Sequence, residues 1–472
     1  MKPENSDAAK LDHPCVPQQP ELTRLAVRRK LLILCLIFFT ALGVRLLNWH
    51  GSRNEVSAVQ TSVALNYKHQ ARLIRANGLA SLYDASSSTS NPELLGHPLG
   101  YPILLSFIYR IAPESDTATQ LSQLTLDSLA AVIICLIAFE LFPTAVGIIA
   151  GILAALAPQF SWNSILLLPD SLAALPILLA VLLIARARQQ RNRSRLLSIL
   201  AAGALVGVSC WLRANALLLA PFMALLIPTI YKPEERLRLA LVLVGSACLV
   251  IAPLTIRNAA VFGEFIPVSL GAGQTLLEGI ADYTTDESLA PKTDMKLIRG
   301  EAETFQRPDY VNSLFFPDGP ARDRARLARG FAVIRAHPFW FVSVMIRRAA
   351  SMLRLERTPL RLASTDSATW QHLFQWPLRA IQKLFITAIF LPLVLIGAGL
   401  LIFKRQRQRL AILLVVPCYY FCTQSALHTE YRYVLVIHYF LFVLAAVGVY
   451  TITSRISWMF TKPAGLDSAR IG

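Results

Sequence analysis

Charge is what this sequence has least of. Only 16% of its 472 residues are Asp, Glu, Lys or Arg, where soluble domains carry roughly 25%, which argues against a water-soluble enzyme. Carboxylates are the scarcer sign, 29 against 46 Lys and Arg, for a formal charge of +17. No basic polar domain accompanies that excess. The Lys and Arg stand in short clusters between apolar blocks, so the charge reads as membrane topology and indicates no nucleic-acid partner. Cysteine is sparse too. The seven residues, at positions 15, 35, 135, 210, 248, 418 and 422, lie in the amino-terminal tail or in apolar blocks, so no disulfide framework is indicated. Cys418 and Cys422 share a helix face, but no His or carboxylate stands beside them at ligand spacing, and they read as packed thiols. No internal repeat is visible, and no low-complexity tract apart from Ser86-Ser87-Ser88, a loop tip.

Apolar residues are abundant instead, at 54%, and they run in membrane-spanning lengths such as 121–142, 144–160, 378–403 and 432–454. The fold class is an all-α polytopic membrane protein. The first apolar run, 31–47, follows Arg24, Arg28, Arg29 and Lys30 and ends at Asn48-Trp49-His50 without a small-residue cleavage site. It reads as an uncleaved anchor with its amino terminus in the cytoplasm. The other Lys/Arg-rich turns, 186–195, 232–238, 404–409 and the tail after Arg455, can all be placed on that side. The result is about ten spans, near 31–48, 121–142, 144–160, 163–185, 197–212, 215–231, 238–256, 378–403, 410–427 and 432–454, with both termini cytoplasmic.

This divides the chain into a cytoplasmic tail (1–30), a transmembrane core with an outer loop at 49–120 (31–256), a second outer segment (257–377), carboxy-terminal transmembrane helices (378–455) and a second tail (456–472). Both outer segments are expected to carry interfacial helices. Residues 99–112 are too few to cross a ~30 Å core, and 331–353 is left outside by the parity of the charge clusters. Val56, Val59, Val63, Tyr67, Ala71 and Ile74 recur with a helical period, which predicts an amphipathic helix over 54–77 on the outer leaflet. The charged segment 282–327 leads into a helix expected over 321–336.

Landmarks follow in order: the amphipathic helix, then His97-Pro98-Leu99-Gly100-Tyr101-Pro102, Arg257-Asn258, Phe262-Gly263-Glu264-Phe265, Ala336-His337-Pro338, and Glu430-Tyr431-Arg432-Tyr433 before the last span. Over residues 25–455 the chain resembles the GT-C class of integral-membrane glycosyltransferases, in the bacterial branch similar to protein O-mannosyltransferases and the lipid A aminoarabinose transferase. That resemblance implies transfer of a sugar from a polyprenyl-phosphate donor to an envelope acceptor, whether lipid, glycan or protein, at the outer face of a bacterial inner membrane. The donor phosphate then needs fixed cations and the acceptor hydroxyl needs a proton-accepting carboxylate.

In the family that carboxylate is an Asp at the start of the first outer-loop helix. Here Asn54-Glu55 stands at the nearest match, so Glu55 is the candidate base by resemblance, with Asp84 as a substitute. Asp170, in Leu168-Pro169-Asp170-Ser171 at the mouth of the fourth expected span, is a candidate in its own right, because carboxylates there face water-filled cavities. A helix-terminal role explains Asp170 equally well. Arg213, Arg257 and Arg432 each end a span at head-group level and are the candidate phosphate ligands, with snorkelling as their plain reading. Glu430 can orient Arg432. His97, Tyr67, Tyr101 and Tyr433 complete the substrate-binding candidates, against a scaffold corner or an aromatic belt as the alternative. Asp127, deeper in the second span, reads as a packed polar contact.

No cofactor is indicated, and the sequence leaves a divalent metal open. Two other functions stay open at this level: a flippase or transporter for a lipid-linked substrate, and a catalytically inactive family member serving as an assembly partner. Polar residues concentrated at the outer span ends, rather than at the midplane, favour surface chemistry over transport.

Overall fold

The computed structural model describes residues 19–59, 61–87, 95–356 and 369–461. Most of the two expected tails lies outside them, as does Ser88. The chain folds into helices, and among the described residues there is no β-strand. The first helix, α1 (Gln19–Val59), runs straight out of its span into the first outer loop. There α2 (Thr61–Asn77) and α3 (Gly100–Ile111) pair, with Tyr67, Ala71 and Ile74 buried, so the apolar side of α2 rests on protein and not on the lipid surface. Next come α4 (Asp116–Leu141), α5 (Thr144–Leu156), α6 (Pro158–Asn163), α7 (Asp170–Ala187), α8 (Asn192–Leu212), α9 (Leu219–Ala224), α10 (Ile227–Ile230) and α11 (Pro233–Phe262). The second outer segment folds as α12 (Ala272–Ala281), α13 (Asp294–Thr304), α14 (Gly319–Ala336) and α15 (Pro338–Met352). The chain then returns through α16 (Thr369–Gln382), α17 (Thr387–Phe403), α18 (Arg407–Gln424) and α19 (Leu435–Thr461).

The expected count of ten spans is not confirmed. Among the described residues, six helices are long and apolar enough to cross a membrane alone, a seventh crossing results if the pair at 375–382 and 387–403, bent by 59°, counts as one, and 144–156 and 214–230 are shorter apolar stretches. Prolines explain much of the difference. Pro158 stops the expected span at 144–160 after Leu156, and Pro221 and Pro228 fall among the short pieces that replace 215–231. The expected span 163–185 also begins late, at Asp170. Ahead of it the chain is irregular, and its carbonyls are satisfied by α4: Gln120 donates to Ile165 and Gln123 to Leu166, at 3.0 and 2.8 Å. Non-helical backbone inside an apolar bundle survives only with such partners.

Close approach of α8 and α11 depends on glycine. A Cβ at Gly203 would lie 2.0 Å from the Leu243 carbonyl oxygen, and one at Gly207 would lie 2.8 Å from that of Ala247. This spacing of four is the small-residue seam of membrane helices. Farther along the bundle, Arg45 on α1 donates from Nε to Asp127 of α4 at 2.7 Å, both side chains essentially fully buried. Removing one partner strands a charge in the apolar interior, which costs about 3–5 kcal/mol, whereas removing both does not. Asp127→Leu should therefore lower the melting temperature of the detergent-purified protein sharply, and adding Arg45→Met to it should restore most of the loss. Equal damage in the single and double variants would show that the pair has another role.

Candidate functional site

Three helix ends meet at one end of the bundle. Asp170 opens α7, Arg213 closes α8, and a 3₁₀ turn at Tyr431–Val434 leads into α19. The Arg213 guanidinium lies 3.1 Å from an Asp170 carboxylate oxygen and 4.2 Å from the centre of the Tyr433 ring. Asn215, two residues past Arg213, donates from Nδ2 to the Tyr433 carbonyl at 3.2 Å and holds the turn against the end of α8. Arg432 stands 5.3 Å from the same ring centre and donates to Glu430 at 2.8 Å. Asp170, Arg213, Asn215, Tyr420, Arg432 and Tyr433 close on a cavity of about 10 Å³, room for one water. An aromatic layer lies close by, near enough for Arg213 to act on Tyr67 and His97.

That aromatic layer comes from the first outer loop. The Tyr67 ring packs at 5.2 Å from His97 and 5.1 Å from Tyr101, and the Tyr101 hydroxyl donates to Gln123 at 2.7 Å. Gly100 lets α3 touch α8, since a Cβ there would lie 2.4 Å from the Trp211 carbonyl oxygen. Burial lifts the Tyr67 phenol to about 12, against the pull of Arg213, so it stays a hydrogen-bond donor. Desolvation, then the Arg213 and Arg432 charges, push the His97 imidazole down to about 4. His97 is thus neutral near pH 7 and serves the site as a hydrogen-bonding ring, not as a cation.

The second outer segment braces the site from its flank. The Thr275 carbonyl accepts the His428 backbone N–H at 2.7 Å, the Asp282 carboxylate meets His428 Nδ1 at 2.9 Å, and Arg348 donates to the Ser425 carbonyl at 2.7 Å. These contacts fix residues 425–428, just before Glu430. Its own core includes a buried cluster in which Arg322 and Arg326 both pair with Glu301, at 2.8 and 2.6 Å.

The structure therefore brings Asp170, Arg213, Glu430, Arg432, Tyr433, Tyr67, His97 and Tyr101 into one neighbourhood. It places two other sequence candidates elsewhere. Asp84 is in an exposed turn, its carboxylate accepting from Ser86. Arg257 is buried in the last turns of α11, where it donates to the Leu82 carbonyl at 3.0 Å and stacks on Phe262. Glu55 is on α1, with its side chain outside the described residues. Asn215 and Tyr420 were not expected. Asn215 carries a usable signal, as an amide two residues past a span-ending Arg, whereas Tyr420 reads only as an apolar-block aromatic. Among the described residues no three His, Cys, Asp or Glu side chains gather as metal ligands.

Residues 96–256 match the family described as dolichyl-phosphate-mannose-protein mannosyltransferase. No curated protein matches by sequence. Among solved structures, the Archaeoglobus fulgidus oligosaccharyltransferase tethered to an acceptor peptide superposes with a TM-score of 0.53 at 13% identity, over 91% of this chain and 50% of that one. The archaeal oligosaccharyltransferase AglB from the same organism, in complex with an inhibitory peptide and a dolichol-phosphate, gives 0.51 at 14%, over 91% and 51%. ArnT from Cupriavidus metallidurans bound to undecaprenyl phosphate gives 0.35 at 16%, over 91% and 78%. The chain spans about half the length of the archaeal structures it matches. The GT-C resemblance read from the sequence is borne out by the family segment and by the fold.

The histidine yields a test. Between pH 6.5 and about 4 the unfolded chain protonates His97 while the folded chain does not, so this residue makes stability fall as pH drops through that window. His97→Gln should lose less melting temperature than wild type when acidified from pH 6.5 to 4.5. An identical pH slope in the two proteins would contradict the depressed imidazole.

Proposed function

We propose that the chain is a glycosyltransferase that moves a sugar from a polyprenyl-phosphate donor to an envelope acceptor, lipid, glycan or protein, at the outer face of the membrane. The observation that carries this reading is the meeting of two guanidiniums and a carboxylate at one end of the bundle. Arg213 and Arg432 flank Tyr433, and two guanidiniums can grip a phosphate through parallel N–H donors. Support for a lipid phosphate comes from the family name over residues 96–256, and from the dolichol-phosphate held by a protein of the same fold.

The sidedness follows from charge. At the far ends of the same helices Arg186 pairs with Glu140 and Arg195 with Glu235. With 18 residues in α7 and 21 in α8, at 1.5 Å per residue the two ends stand about 27–32 Å apart, one hydrocarbon thickness. Basic turns stay in the cytoplasm, so the Asp170 end faces outward. The chain would then be a multi-pass protein of a bacterial inner membrane, with both termini cytoplasmic. Residues 31–256 and 378–455 would form the transmembrane parts, with 257–377 outside.

In the transfer step the bond between the sugar's anomeric carbon and the phosphate oxygen breaks, and the electron pair leaves with polyprenyl phosphate. The acceptor oxygen forms the new bond at that carbon and gives up its proton to a carboxylate. Asp170 is the best-placed carboxylate, because beyond its ion pair with Arg213 neither oxygen accepts a hydrogen bond. Glu55 remains the rival suggested by resemblance.

Purified protein given a polyprenyl-phosphate sugar and an envelope acceptor should release polyprenyl phosphate, and a nucleotide sugar should not replace the donor. Asp170→Asn should lose roughly 10²–10⁴ in rate with donor binding nearly intact. Arg432→Ala should weaken donor binding by roughly 1.5–3 kcal/mol. Full activity in Asp170→Asn with loss in Glu55→Gln would move the base to Glu55. Turnover with a nucleotide sugar alone would contradict the reading.

A further inference from the structure

Helix α16 is built inside out. Gln375, Arg379 and Gln382, at helical spacing on one face, are 6%, 8% and 1% exposed, while Trp376, Ile381 and Leu384 beside them are 73%, 43% and 56% exposed. In water this orientation is unfavourable. In a membrane it puts apolar side chains into lipid and tucks the polar stripe against the bundle. The stripe meets α1 and the end of α5: Arg379 donates from Nη2 to Asn48 Oδ1 at 3.2 Å and from Nη1 to Gln382 Oε1 at 3.3 Å, and Gln382 donates to the Leu156 carbonyl at 3.1 Å.

What this recess lacks is an acceptor. Arg379 donates to two neutral amide oxygens, and among the described residues no carboxylate pairs with it. The Asn48 amide nitrogen is buried and, among the described residues, has no acceptor. The unmet group beside Arg379 is thus a donor, next to a cation that has no counter-ion among the described residues, and a buried guanidinium is tolerated poorly without one. The complement is an anion with several acceptor oxygens.

We propose that this recess binds the head group of a phosphate-bearing lipid, with the phosphate on Arg379 and Asn48 and the chains beside the exposed Trp376 and Leu384. This site is separate from the cleft at Asp170 and Arg432. A bilayer phospholipid and a polyprenyl phosphate present the same phosphate ester, so the recognition chemistry is common to both.

The test is native mass spectrometry of the full chain in detergent, read by bound mass and so independent of turnover. Phosphatidylglycerol, undecaprenyl phosphate, phosphate-free diacylglycerol and inorganic phosphate are titrated in turn. In Arg432→Ala, where the donor cleft is weakened, the chain should still hold one phosphate-bearing lipid, whose affinity drops at least tenfold when Arg379→Gln is added and recovers in part with Arg379→Lys. Competition by phosphatidylglycerol identifies a bilayer lipid, and competition by undecaprenyl phosphate alone identifies the carrier. Asn48→Asp supplies the missing counter-ion from the protein, and should expel the lipid while raising the melting temperature of the delipidated chain. Unchanged lipid occupancy in Arg379→Gln and Asn48→Asp, equal binding of diacylglycerol, or binding of inorganic phosphate as tight as that of the lipids overturns the proposal.

Discussion

The contact between Asp170 and Arg213 is the interaction on which the site depends. A largely buried carboxylate and a guanidinium can remain charged at the end of an apolar bundle only because each solvates the other. Their 3.1 Å approach ties the start of α7 to the end of α8, and the Arg213 side chain then offers its face to Tyr433. The turn before α19 is located by that stacking and by the Asn215 amide. Because α7 cannot begin before Asp170, the irregular residues ahead of it must be satisfied from elsewhere, and Gln120 and Gln123 do so from α4. Gln123 also receives the Tyr101 hydroxyl. One ion pair is thus connected to the turn before α19, to α4 and to α3 through a ring contact and hydrogen bonds.

Much of this was legible in the sequence, for reasons that can be traced. The all-α membrane class follows from apolar run lengths. Asp170, Arg213 and Arg432 stand out because charge is rare in such a chain and each falls where an apolar run ends. The break ahead of Asp170 was not legible: Ile165-Leu166-Leu167-Leu168 reads as span, and only a glutamine from another helix makes its irregular backbone tolerable. Arg257 looked equivalent to Arg213, but which way a side chain points depends on how its helix is rotated, and Arg257 points to the Leu82 carbonyl. The inverted polarity of α16 is hidden for the same reason, since the sequence pattern does not say which face meets lipid.

The second outer segment has a physical part in the arrangement as well. Arg348, Asp282 and Thr275 grip residues 425–428, so the path of the chain into Glu430 and Arg432 is set by a bundle outside the spans. Glu278, on the same face of α12, is pushed up to about 7 by burial, which marks this junction as desolvated and not freely hydrated.

The central claim is that the outward end of the bundle, at Arg213 and Arg432, receives the phosphate of the lipid-linked donor. A cryo-electron microscopy structure of the chain with polyprenyl phosphate tests it most directly. The account predicts phosphate oxygens within hydrogen-bond reach of both guanidiniums, with the Glu430–Tyr433 turn shifted to admit them. Polyprenyl phosphate bound with neither arginine in contact, while the cavity at Asp170 stays closed, would contradict it.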